Sequence, residues 1–536
     1  MQDSPSNWLL LNPADDVAVA VRDLPSGTVV VHGSAEFPVT ADIPVGHKFA
    51  VQAIRNGAAV HKYGQVIGLA TADIAPGDWV HTHNLGLPEK RNTARASEIQ
   101  TAALSGQADS KSSSKPEQTP TFQGYRRGNG KAGTRNYIAV VSSVNCSASV
   151  SRFITSRFPT EELRQYPNVD GLLPLTHKGG CGIQYDGEAH QQLARVLAGF
   201  ALHPNIGGFL LVGLGCETGT LSYIVEQGGL SQSGNSSPQL HEIKSWEDNA
   251  TGAPPTLSIQ ECGGTAKTVE AGINAIRKML PQVNDVRREA IPASELVVAL
   301  ECGGSDAWSG ITANPALGIA SDTLVAAGGT TILSETPEIY GAEQLLAARA
   351  VSSDVAEKLH SRVRWWEEYA RKHGATLDNN PSTGNKAGGL STIYEKSLGA
   401  VAKGGSAPLV DVLRYAEPVS RRGFLFMDSP GYDPASITGK VAAGANVVCF
   451  TTGRGSCFGC KPSPSIKIAT NTRMYERMRD DMDLDAGVAL AGTPLEEIGQ
   501  AIFRKILAVA SGEQTKSEAQ GLGEEEFAPW DLGPTL

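Results

Sequence analysis

The sequence of 536 residues has a shortage of positive charge, with 46 Lys and Arg against 56 Asp and Glu and a formal net charge of −10. Proteins that bind nucleic acid or an anionic membrane surface need clustered Lys and Arg, so we expect neither partner. The sequence also lacks the roughly 18–20 uninterrupted apolar residues of a membrane span. Its first residues, MQDSPSNWLLLNPADD, show neither the basic segment nor the apolar core of a signal peptide, and we expect a cytoplasmic protein.

Cysteine is scarce, with eight residues in the chain, and we expect reduced thiols rather than a disulfide framework. Glycine, in contrast, is abundant at 59 residues. Glycine is favoured where the backbone turns tightly or approaches a ligand, so its excess predicts many functional loops. At about 150 residues per domain, the length predicts two to four domains. These features are typical of a multidomain enzyme that acts on a small molecule.

The chain divides into segments with different patterns. Residues 1–90 contain short alternating stretches such as GTVVVHG, HKFAVQAI and GDWVHTH, which predict a small all-β domain. Residues 91–120 are polar and rich in Ser, Gln, Lys and Ala, as in a flexible linker. The rest predicts α/β structure with largely parallel sheets. We expect two doubly wound, Rossmann-like units at residues 121–290 and 291–536, with a break near 285–292.

Seven apolar runs are the strand candidates of these units: NYIAVVSS, DGLLPL, GGFLLVG, ELVVALE, TTILSE, GFLFMDS and NVVCFTT. The segments EAHQQLARVLAGFAL and GAEQLLAARAVSSDVAEKLHSRVRWWEEYARKH have helical periodicity. Ligands bind beyond the carboxyl ends of parallel strands, so we expect functional loops where these apolar runs end.

Four cysteines follow strand candidates. Cys146, Cys181 and Cys216 are spaced 35 residues apart, and Cys302 follows ELVVAL. Because the carboxyl ends of parallel strands share one edge of a sheet, these thiols can converge on one site, where thiolates would suit iron or zinc. The alternative is that each cysteine is a small apolar residue packed in a crowded turn.

The predicted β domain contains further candidates. His81 and His83 alternate along a predicted strand, which would point both imidazoles toward a common ion. The alternative is a pair of exposed histidines at a strand end. Lys48 and Lys62 lie in the same domain and can act as bases when buried, although most lysines are solvated.

Polar side chains also occur in glycine-rich loops of the α/β units. Arg135 precedes a strand, where it can grip a carboxylate or lie on the surface. The loop CGGSDAWSGITANPALG supplies Ser305, Asp306 and Asn314 for an anion, although Asp306 alone could cap a helix. Other loops supply further acids, amides and lysines that suit an anionic substrate with many hydroxyls: Glu335, Glu338, Asn385, Lys386, Glu395, Lys396 and Lys403. The segment around Asn385 and Lys386 is predicted to be too Gly-rich for a helix.

The sequence resembles the altronate and galactarate dehydratases, in which a small SAF (β-clip) domain precedes a large α/β region. Matching stretches cover nearly the whole chain apart from the linker: DVAVAVRDLPSGT, DIPVGHKFAVQAI, VHKYGQVIG, HTHN, GTRNY, HPNIGGFLLVGLGCE, ECGGSDAWSGITANPALG, GGTTILSETPEIYGAEQLL, NPSTGNKAGGL, EKSLGAVAKGG and TTGRGS. HTHN is similar to the altronate branch, whereas SCFGCKPSPSIKIATNT departs from the commonest altronate pattern. The alternatives are a dehydratase of galactarate or of a sulfonated hydroxy acid, and a non-catalytic sugar-acid binding protein.

The resemblance implies an iron(II)-dependent loss of water from D-altronate that gives 2-dehydro-3-deoxy-D-gluconate. An iron–sulfur cluster or Mn²⁺ is the alternative cofactor, and a homodimer is the expected assembly. On this basis His81 and His83 are expected as metal ligands or as the acid–base pair, with Lys48 or Lys62 nearby. The other expected metal ligands are Cys146, Cys181, Cys216 and Cys302. The residues expected to hold the substrate are Arg135, Asn136, Ser305, Asp306, Asn314, Asn385 and Lys386.

Overall fold

The structure is a computed structural model that describes residues 7–87, 119–230 and 254–532. Apart from its last two residues, the predicted linker at 91–120 lies outside the described residues. The described residues form an N-terminal β region (7–87), a middle α/β region (119–292) and a C-terminal α/β region (293–532). Among them, no helix is both long and apolar enough to cross a membrane. The predicted domain boundaries stay predictions.

The N-terminal β region is antiparallel throughout. Its strands are β1 (Trp8–Leu9), β2 (Val17–Ala20), β3 (Val29–His32), β4 (Ala35–Pro38), β5 (Lys48–Ala50), β6 (Ala59–Lys62), β7 (Gln65–Ala70), β8 (Trp79–Val80) and β9 (Leu85–Gly86). They form a sheet in the order β1-β2-β5-β8, a second sheet β6-β7-β9 and the hairpin β3-β4. Strands β2 and β5 are wholly buried, so the centre of this region is a small apolar core.

The middle region contains β10 (Thr121–Arg126), β11 (Ala132–Gly133), β12 (Tyr137–Ser142), β13 (Gly171–Leu175), β14 (Ile206–Gly213), β15 (Thr256–Ser258) and β16 (Arg288–Pro292). Strands β13-β12-β14-β15 form a parallel sheet, and β11-β10-β16 form an antiparallel one. The helices are Asn145–Ser156, Thr160–Leu163, Glu188–Ala201, Leu221–Gln227, Ile259–Cys262 and Thr265–Asn284. We call the four-stranded parallel sheet the middle sheet.

The C-terminal region is built on a seven-stranded parallel sheet in the order β19-β20-β18-β17-β21-β22-β23. Its strands are β17 (Val297–Cys302), β18 (Thr330–Leu333), β19 (Leu409–Leu413), β20 (Gly423–Met427), β21 (Val447–Thr452), β22 (Ser465–Ala469) and β23 (Leu484–Asp485). The α-helices are Ala313–Ala326, Glu343–Ala347, Ser353–Lys372, Thr383–Ala387, Ile393–Val401, Asp433–Ala442, Thr472–Arg477, Leu495–Ala510 and Lys516–Ala519. Short 3₁₀ helices are Ala293–Glu295, Thr336–Ile339, Leu377–Asn379, Ala402–Gly404 and Gly487–Ala491. Antiparallel strands followed by two parallel α/β sheets confirm the predicted fold class.

The two parallel sheets are buried because helices cover their faces. All residues of β12, β20 and β21 are buried, as their uninterrupted apolar runs require. The helices Glu188–Ala201 and Asp433–Ala442 pack together so closely that a Cβ on Gly199 would lie 2.3 Å from the carbonyl oxygen of Ala442. Apolar side chains of both regions therefore form one continuous core.

Each parallel sheet reverses its strand order at its first strand. β17 lies between β18 and β21, and β12 lies between β13 and β14. In doubly wound folds the crevice at such a reversal, beyond the carboxyl ends of the strands, is where ligands bind. The candidate ligand-binding crevices are therefore those that follow Cys302 at the end of β17 and Ser142 at the end of β12.

One local prediction is wrong. Thr383–Ala387 forms a one-turn helix, although this segment was expected to be too Gly-rich for one. The Ser382 hydroxyl accepts a hydrogen bond from the backbone N–H of Asn385, and the Asn385 side chain accepts one from the backbone N–H of Ser382. This capping box stabilises the first turn and outweighs the glycines around it.

The buried imidazole of His203 predicts acid sensitivity. Its Nε2 lies 3.0 Å from the carbonyl oxygen of Ala445, its Nδ1 accepts from the Asn205 N–H, and burial lowers its pKa from 6.5 to about 3. Below pH 6.5 the unfolded chain binds a proton that the folded chain excludes, so stability should fall by about 1.4 kcal/mol per pH unit toward pH 3 for this residue. In urea unfolding between pH 7 and pH 4, the free energy of unfolding of His203→Gln should depend less steeply on pH than that of the wild type. The difference should correspond to the uptake of about one proton. A pH dependence of His203→Gln equal to that of the wild type would contradict the prediction.

Candidate active site

A group of acidic side chains and a thiol occupies the crevice at the carboxyl end of β17. Glu301 and Cys302 end this strand, Glu335 and Glu338 follow β18, and Asp433 begins the helix Asp433–Ala442. We call these five residues the acidic cluster. Ligand atoms of Cys302, Glu335 and Glu338 lie within 4.8 Å of one another, and so do those of Glu301, Glu335 and Asp433. Parallel strands bring these residues together because their carboxyl ends share one edge.

Three buried lysines partly balance the acidic cluster. The ammonium of Lys403 donates to the sulfur of Cys302 over 2.7 Å and lies 3.7 Å from a carboxylate oxygen of Glu335. Lys396 donates to Glu338 over 2.7 Å, and Lys440 donates to Glu301. Four carboxyl groups and one thiol thus face three ammonium groups. This leaves an excess of acidic groups that either protons or a cation must neutralise.

Two carboxyl groups of the acidic cluster favour the protonated form. Burial, together with the neighbouring Glu301 and Glu338 charges, raises the pKa of Asp433 to about 7. The same causes raise the pKa of Glu335 well above its usual value. The backbone of Glu335 has a left-handed φ of 68°. A Cβ on Gly303 would lie 2.2 Å from a carboxylate oxygen of Asp433, so only glycine allows this approach. Protonated carboxyl groups at neutral pH are suited to general acid catalysis.

The donors of the acidic cluster fit a divalent metal ion. The Oε1 atoms of Glu301 and Glu335 are buried and have no hydrogen-bond partner among the described residues. An ion would satisfy both atoms and would supply the missing positive charge. Carboxylate oxygens with one thiolate suit a borderline metal such as iron, and the carboxylates alone suit manganese.

A cavity of about 1340 Å³ separates the N-terminal β region from the C-terminal α/β region. Its lining includes His47, Asp306 and Trp308, and four arginines: Arg22, Arg454, Arg473 and Arg477. The cavity adjoins the acidic cluster through two glycines, since Gly303 contacts Asp433 and a Cβ on Gly304 would lie 3.4 Å from the Cβ of Arg454. A cationic cavity beside a cluster that could hold a metal ion suits an anionic substrate.

Lys48 and Lys62 attach the N-terminal β region to the C-terminal region. Both ammonium groups are fully buried and donate to opposite oxygens of Glu395, over 2.9 and 2.8 Å. Lys48 also donates to the carbonyl oxygen of Gly389. Burial and then the Lys62 charge lower the pKa of Lys48 to about 8 despite Glu395, whereas Glu395 outweighs burial and raises the pKa of Lys62. Lys48 is therefore the lysine of this pair that can more readily lose its proton.

The prediction that His81 and His83 alternate along a strand is wrong. β8 ends at Val80, and the backbone then turns, with the N–H groups of Asn84 and Leu85 donating to the carbonyl oxygen of His81. The ring of His81 stacks on Trp79 at 5.5 Å between centroids and lies 5.1 Å from His47, whereas His83 is exposed. The imidazole beside His81 is thus that of His47, which the sequence did not single out.

His81 has the properties of a neutral proton acceptor. Its Nδ1 is buried and has no hydrogen-bond partner among the described residues. Burial, followed by the charges of Lys48 and His47, lowers the pKa of His81 to about 4. The ring is therefore neutral at pH 7, with one nitrogen free to bind a proton or an ion. The roles of His81 and His83 stay predictions.

The residues predicted to bind substrate have different surroundings. Asp306 lines the cavity, but its carboxylate accepts from the N–H groups of Trp308 and Ser309 and from Thr470 and Asn471. The amide groups of Asn314 and Asn385 likewise bind Gly399, Thr451, Ser382 and Ser305 within the protein. The buried hydroxyl of Ser305 has no partner among the described residues. Lys386 is half-buried beside the cavity residue Ala387.

Arg135 and Asn136 lie in the interior, away from the cavity lining. All five N–H groups of Arg135 are donated within the protein, to the two oxygens of Glu518 and to backbone carbonyls of Thr134, Val509 and Glu513. The amide of Asn136 donates to the carbonyl oxygens of Asn168 and Val283. The Arg135 contacts join the middle and C-terminal regions and leave this side chain no free donor for a substrate carboxylate.

The structure divides the four predicted cysteine ligands between the two sheets. Cys302 is buried in the acidic cluster, whereas Cys146, Cys181 and Cys216 are exposed in the segments that follow strands of the middle sheet. Besides His47, four residues near the site were missed: Glu301, Asp433, Lys440 and Arg454. Glu301 directly precedes Cys302, and Asp433 and Arg454 closely follow β20 and β21, so a search of every strand end would have found these three.

Models of three domain families match the chain. They are the altronate/galactarate dehydratase SAF domain at residues 6–88, the second domain of D-galactarate dehydratase/altronate hydrolase at 124–284, and the C-terminal domain of D-galactarate/altronate dehydratase at 293–535.

Full-length relatives agree with these matches. The chain is 34% identical to an altronate dehydratase of Bacillus subtilis over 531 residues, which covers 99% of this chain and 100% of the relative. It is 35% identical to an altronate dehydratase of Escherichia coli over 99% of this chain and 100% of the relative. It is also 35% identical to an E. coli galactarate dehydratase (L-threo-forming) over 97% and 96%. The chain therefore belongs to the altronate/galactarate dehydratase family and is a hydro-lyase that dehydrates a sugar acid.

Proposed function

We propose that this enzyme dehydrates D-altronate to 2-dehydro-3-deoxy-D-gluconate. The observation that carries the proposal is an acidic cluster that could hold a metal ion, beside an arginine-lined cavity. The choice of altronate is supported by two full-length relatives named altronate dehydratase and by the HTHN segment at residues 81–84. The reaction removes the proton at C2 and expels the hydroxyl at C3, and the enol product tautomerises to the 2-oxo acid.

In the proposed mechanism, Cys302, Glu335 and Glu338 would hold an iron(II) ion. When bound, the ion supplies Lewis-acid stabilisation of the negative charge that develops at the substrate carboxylate. The protonated carboxyl group of Asp433, whose pKa is raised to about 7, donates its proton to the departing C3 hydroxyl. The neutral imidazole of His81 accepts the C2 proton on its unpartnered Nδ1. The stacked ring of Trp79 and the adjacent His47, which lines the cavity, position that ring.

We expect Arg454 to bind the substrate carboxylate. It is exposed in the cavity, and its backbone N–H donates to the carbonyl oxygen of Gly304 over 2.8 Å, next to the glycine that contacts Asp433. Arg454→Met should raise KM about 10-fold to 100-fold, the value of a lost charged hydrogen bond, with a smaller change in kcat. Arg479→Met is the matched control, because Arg479 is also exposed but does not line the cavity. Equal KM values for the two variants would contradict this role.

The substrate assignment is tested by measuring 2-oxo acid formation from a panel of aldonates and aldarates, with ferrous iron and a reductant under anaerobic conditions. We expect turnover of D-altronate to exceed that of galactarate by at least tenfold. Preferred turnover of galactarate would overturn the assignment within the family. Tight binding of altronate without turnover would indicate a sugar-acid binding protein instead.

A further inference from the structure

The middle sheet carries three exposed cysteines that the proposed mechanism does not use. Cys146 lies in the first turn of the helix after β12, Cys181 in the loop after β13 and Cys216 in the loop after β14. These are three neighbouring strands of the middle sheet, with β12 at the centre. The three thiols therefore share the edge of the sheet at which its strand order reverses, which is a ligand-binding position in doubly wound folds.

Hydrogen bonds hold the three loops against one another. The N–H of Asn145 donates to the carbonyl oxygen of Gly179 over 3.0 Å, which joins the first and second loops. The N–H of Gly219 donates to Gly180 over 3.1 Å, which joins the second and third. The Ser143 hydroxyl donates to the buried carboxylate of Glu217 over 2.8 Å, which joins the third loop to the first. The cysteine-bearing segments thus form one connected structure.

Glycine makes this close packing of the loops feasible. A Cβ on Gly180 would lie 2.4 Å from the carbonyl oxygen of Ser143, and the Gly180 backbone has a left-handed φ of 94°. The carboxylate of Glu217 accepts from the N–H groups of Leu214 and Gly215 and so fixes the backbone that leads to Cys216. The Gln260 amide donates to the sulfur of Cys216 over 3.4 Å. The position of this thiol is therefore defined by its neighbours.

A buried donor without a partner lies at the same place. His190 is 1% exposed, and its Nδ1 accepts from the N–H of Asp186 over 3.0 Å, so the ring proton is on Nε2. That Nε2 has no hydrogen-bond partner among the described residues and lies 3.7 Å from the position of a Cβ on Gly219. Stacking on Tyr223 at 3.7 Å between centroids fixes the ring. An unsatisfied buried N–H next to a loop that carries one of the thiols indicates a missing acceptor.

The spacing of the sulfur atoms bears on the kind of ligand. A single tetrahedral metal ion with sulfur at about 2.3 Å holds three thiolates within about 4 Å of one another. Among the described residues, three-donor groups within 4.8 Å occur only in the acidic cluster, so Cys146, Cys181 and Cys216 are more widely spaced than that. In an iron–sulfur cluster each thiolate binds a different iron, and the thiolates stand further apart.

We propose that Cys146, Cys181 and Cys216 ligate an iron–sulfur cluster, with His190 donating a hydrogen bond to it. Each thiol loses its proton to solvent when it binds iron. Three protein thiolates leave one iron of a four-iron cluster without a cysteine ligand, and that iron can bind a hydroxy acid. This site is separate from the acidic cluster, and its existence does not depend on which sugar acid the enzyme dehydrates.

Anaerobic reconstitution of the full chain with ferrous and ferric iron, sulfide and a thiol reductant tests the proposal. We expect about four acid-labile sulfides per chain, with about four iron atoms in the cluster and one more where the acidic cluster is also loaded, and visible absorption typical of a thiolate-ligated cluster. Cys146→Ser, Cys181→Ser and Cys216→Ser should each lose most of the labile sulfide. Cys449→Ala, which alters a cysteine buried within β21, should retain it. Iron or zinc bound without sulfide would overturn the proposal.

Alkylation of the wild-type protein gives a readout that does not depend on the folding of variants. Cys146, Cys181 and Cys216 should react with iodoacetamide in chelator-treated protein and be protected after reconstitution, as mapped by mass spectrometry. Equal labelling of the three cysteines before and after reconstitution would contradict cluster ligation. If the protein contains the iron–sulfur cluster but turns over no sugar acid, the proposed function is wrong and this inference stands. If the protein has full turnover but no labile sulfide, this inference is wrong and the proposed function stands.

Discussion

Glu335→Gln should abolish metal binding at the acidic cluster and lower kcat/KM by about 10³-fold, equivalent to the several kcal/mol that a Lewis acid supplies. Glu335 belongs to both donor groups of the acidic cluster, and its Oε1 has no hydrogen-bond partner among the described residues. Glutamine keeps the shape of the side chain but removes the charge that binds a cation. Iron content by elemental analysis and turnover by 2-oxo acid formation would measure the two effects.

Glu343→Gln is the control for this prediction. Glu343 is also buried and follows β18 in the same segment, but its carboxylate accepts from the N–H of Gly341 and lies outside the donor groups of the acidic cluster. The Glu343→Gln variant should retain both its iron and its turnover. If Glu335→Gln kept wild-type activity and metal content, the acidic cluster would not be the catalytic metal site.

Glu395→Gln should reduce the free energy of unfolding by about 3–5 kcal/mol, because it leaves two buried ammonium groups without a counter-charge. Lys48 and Lys62 are fully buried, and Glu395 is their shared partner. Glu395 also accepts from the backbone N–H and the hydroxyl of Ser391, so the substitution disturbs four hydrogen bonds at once. Urea unfolding followed by fluorescence would measure the loss of stability.

The position of this ion-pair group gives the substitution a second consequence. Lys48 and Lys62 belong to the N-terminal β region and Glu395 to the C-terminal region, so limited proteolysis should release the β region faster from the variant. Glu161→Gln, which removes the exposed partner of Arg164, is the control. It should change neither the free energy of unfolding nor the rate of proteolysis, because exposed ion pairs contribute little to stability. A Glu395→Gln protein as stable as the wild type would show that this group does not hold the two regions together.

The fold class could be predicted because its signals are local. Each of the seven predicted apolar runs forms a strand, and EAHQQLARVLAGFAL forms the helix Glu188–Ala201. The predicted runs omit β15, β19, β22 and β23 of the two parallel sheets. β15 and β23 have three and two residues, too few for a pattern to be evident. Strand β22 includes Lys467, a buried lysine within SIKIA that interrupts the apolar run.

The candidate site was only partly predictable. The glycine loops of the sequence contain the acids and lysines Glu335, Glu338, Lys396 and Lys403, and the structure brings all four to the acidic cluster. Glu301 and Lys440 were not recognised, because one ends a strand and the other lies within a helix, where most charged residues are solvated. Their burial depends on which strand and helix become neighbours.

The sequence by itself determined the fold class and the family, because hydrophobic periodicity and long matching stretches are properties of the chain in order. It also placed cysteines at the ends of four predicted strands. Only the tertiary structure decided that Cys302 joins carboxylates in one sheet while Cys146, Cys181 and Cys216 gather at the other. The reason is physical: the order of strands in a sheet, set by crossover connections and helix packing, determines which strand ends become neighbours, and residues distant in sequence meet only through it.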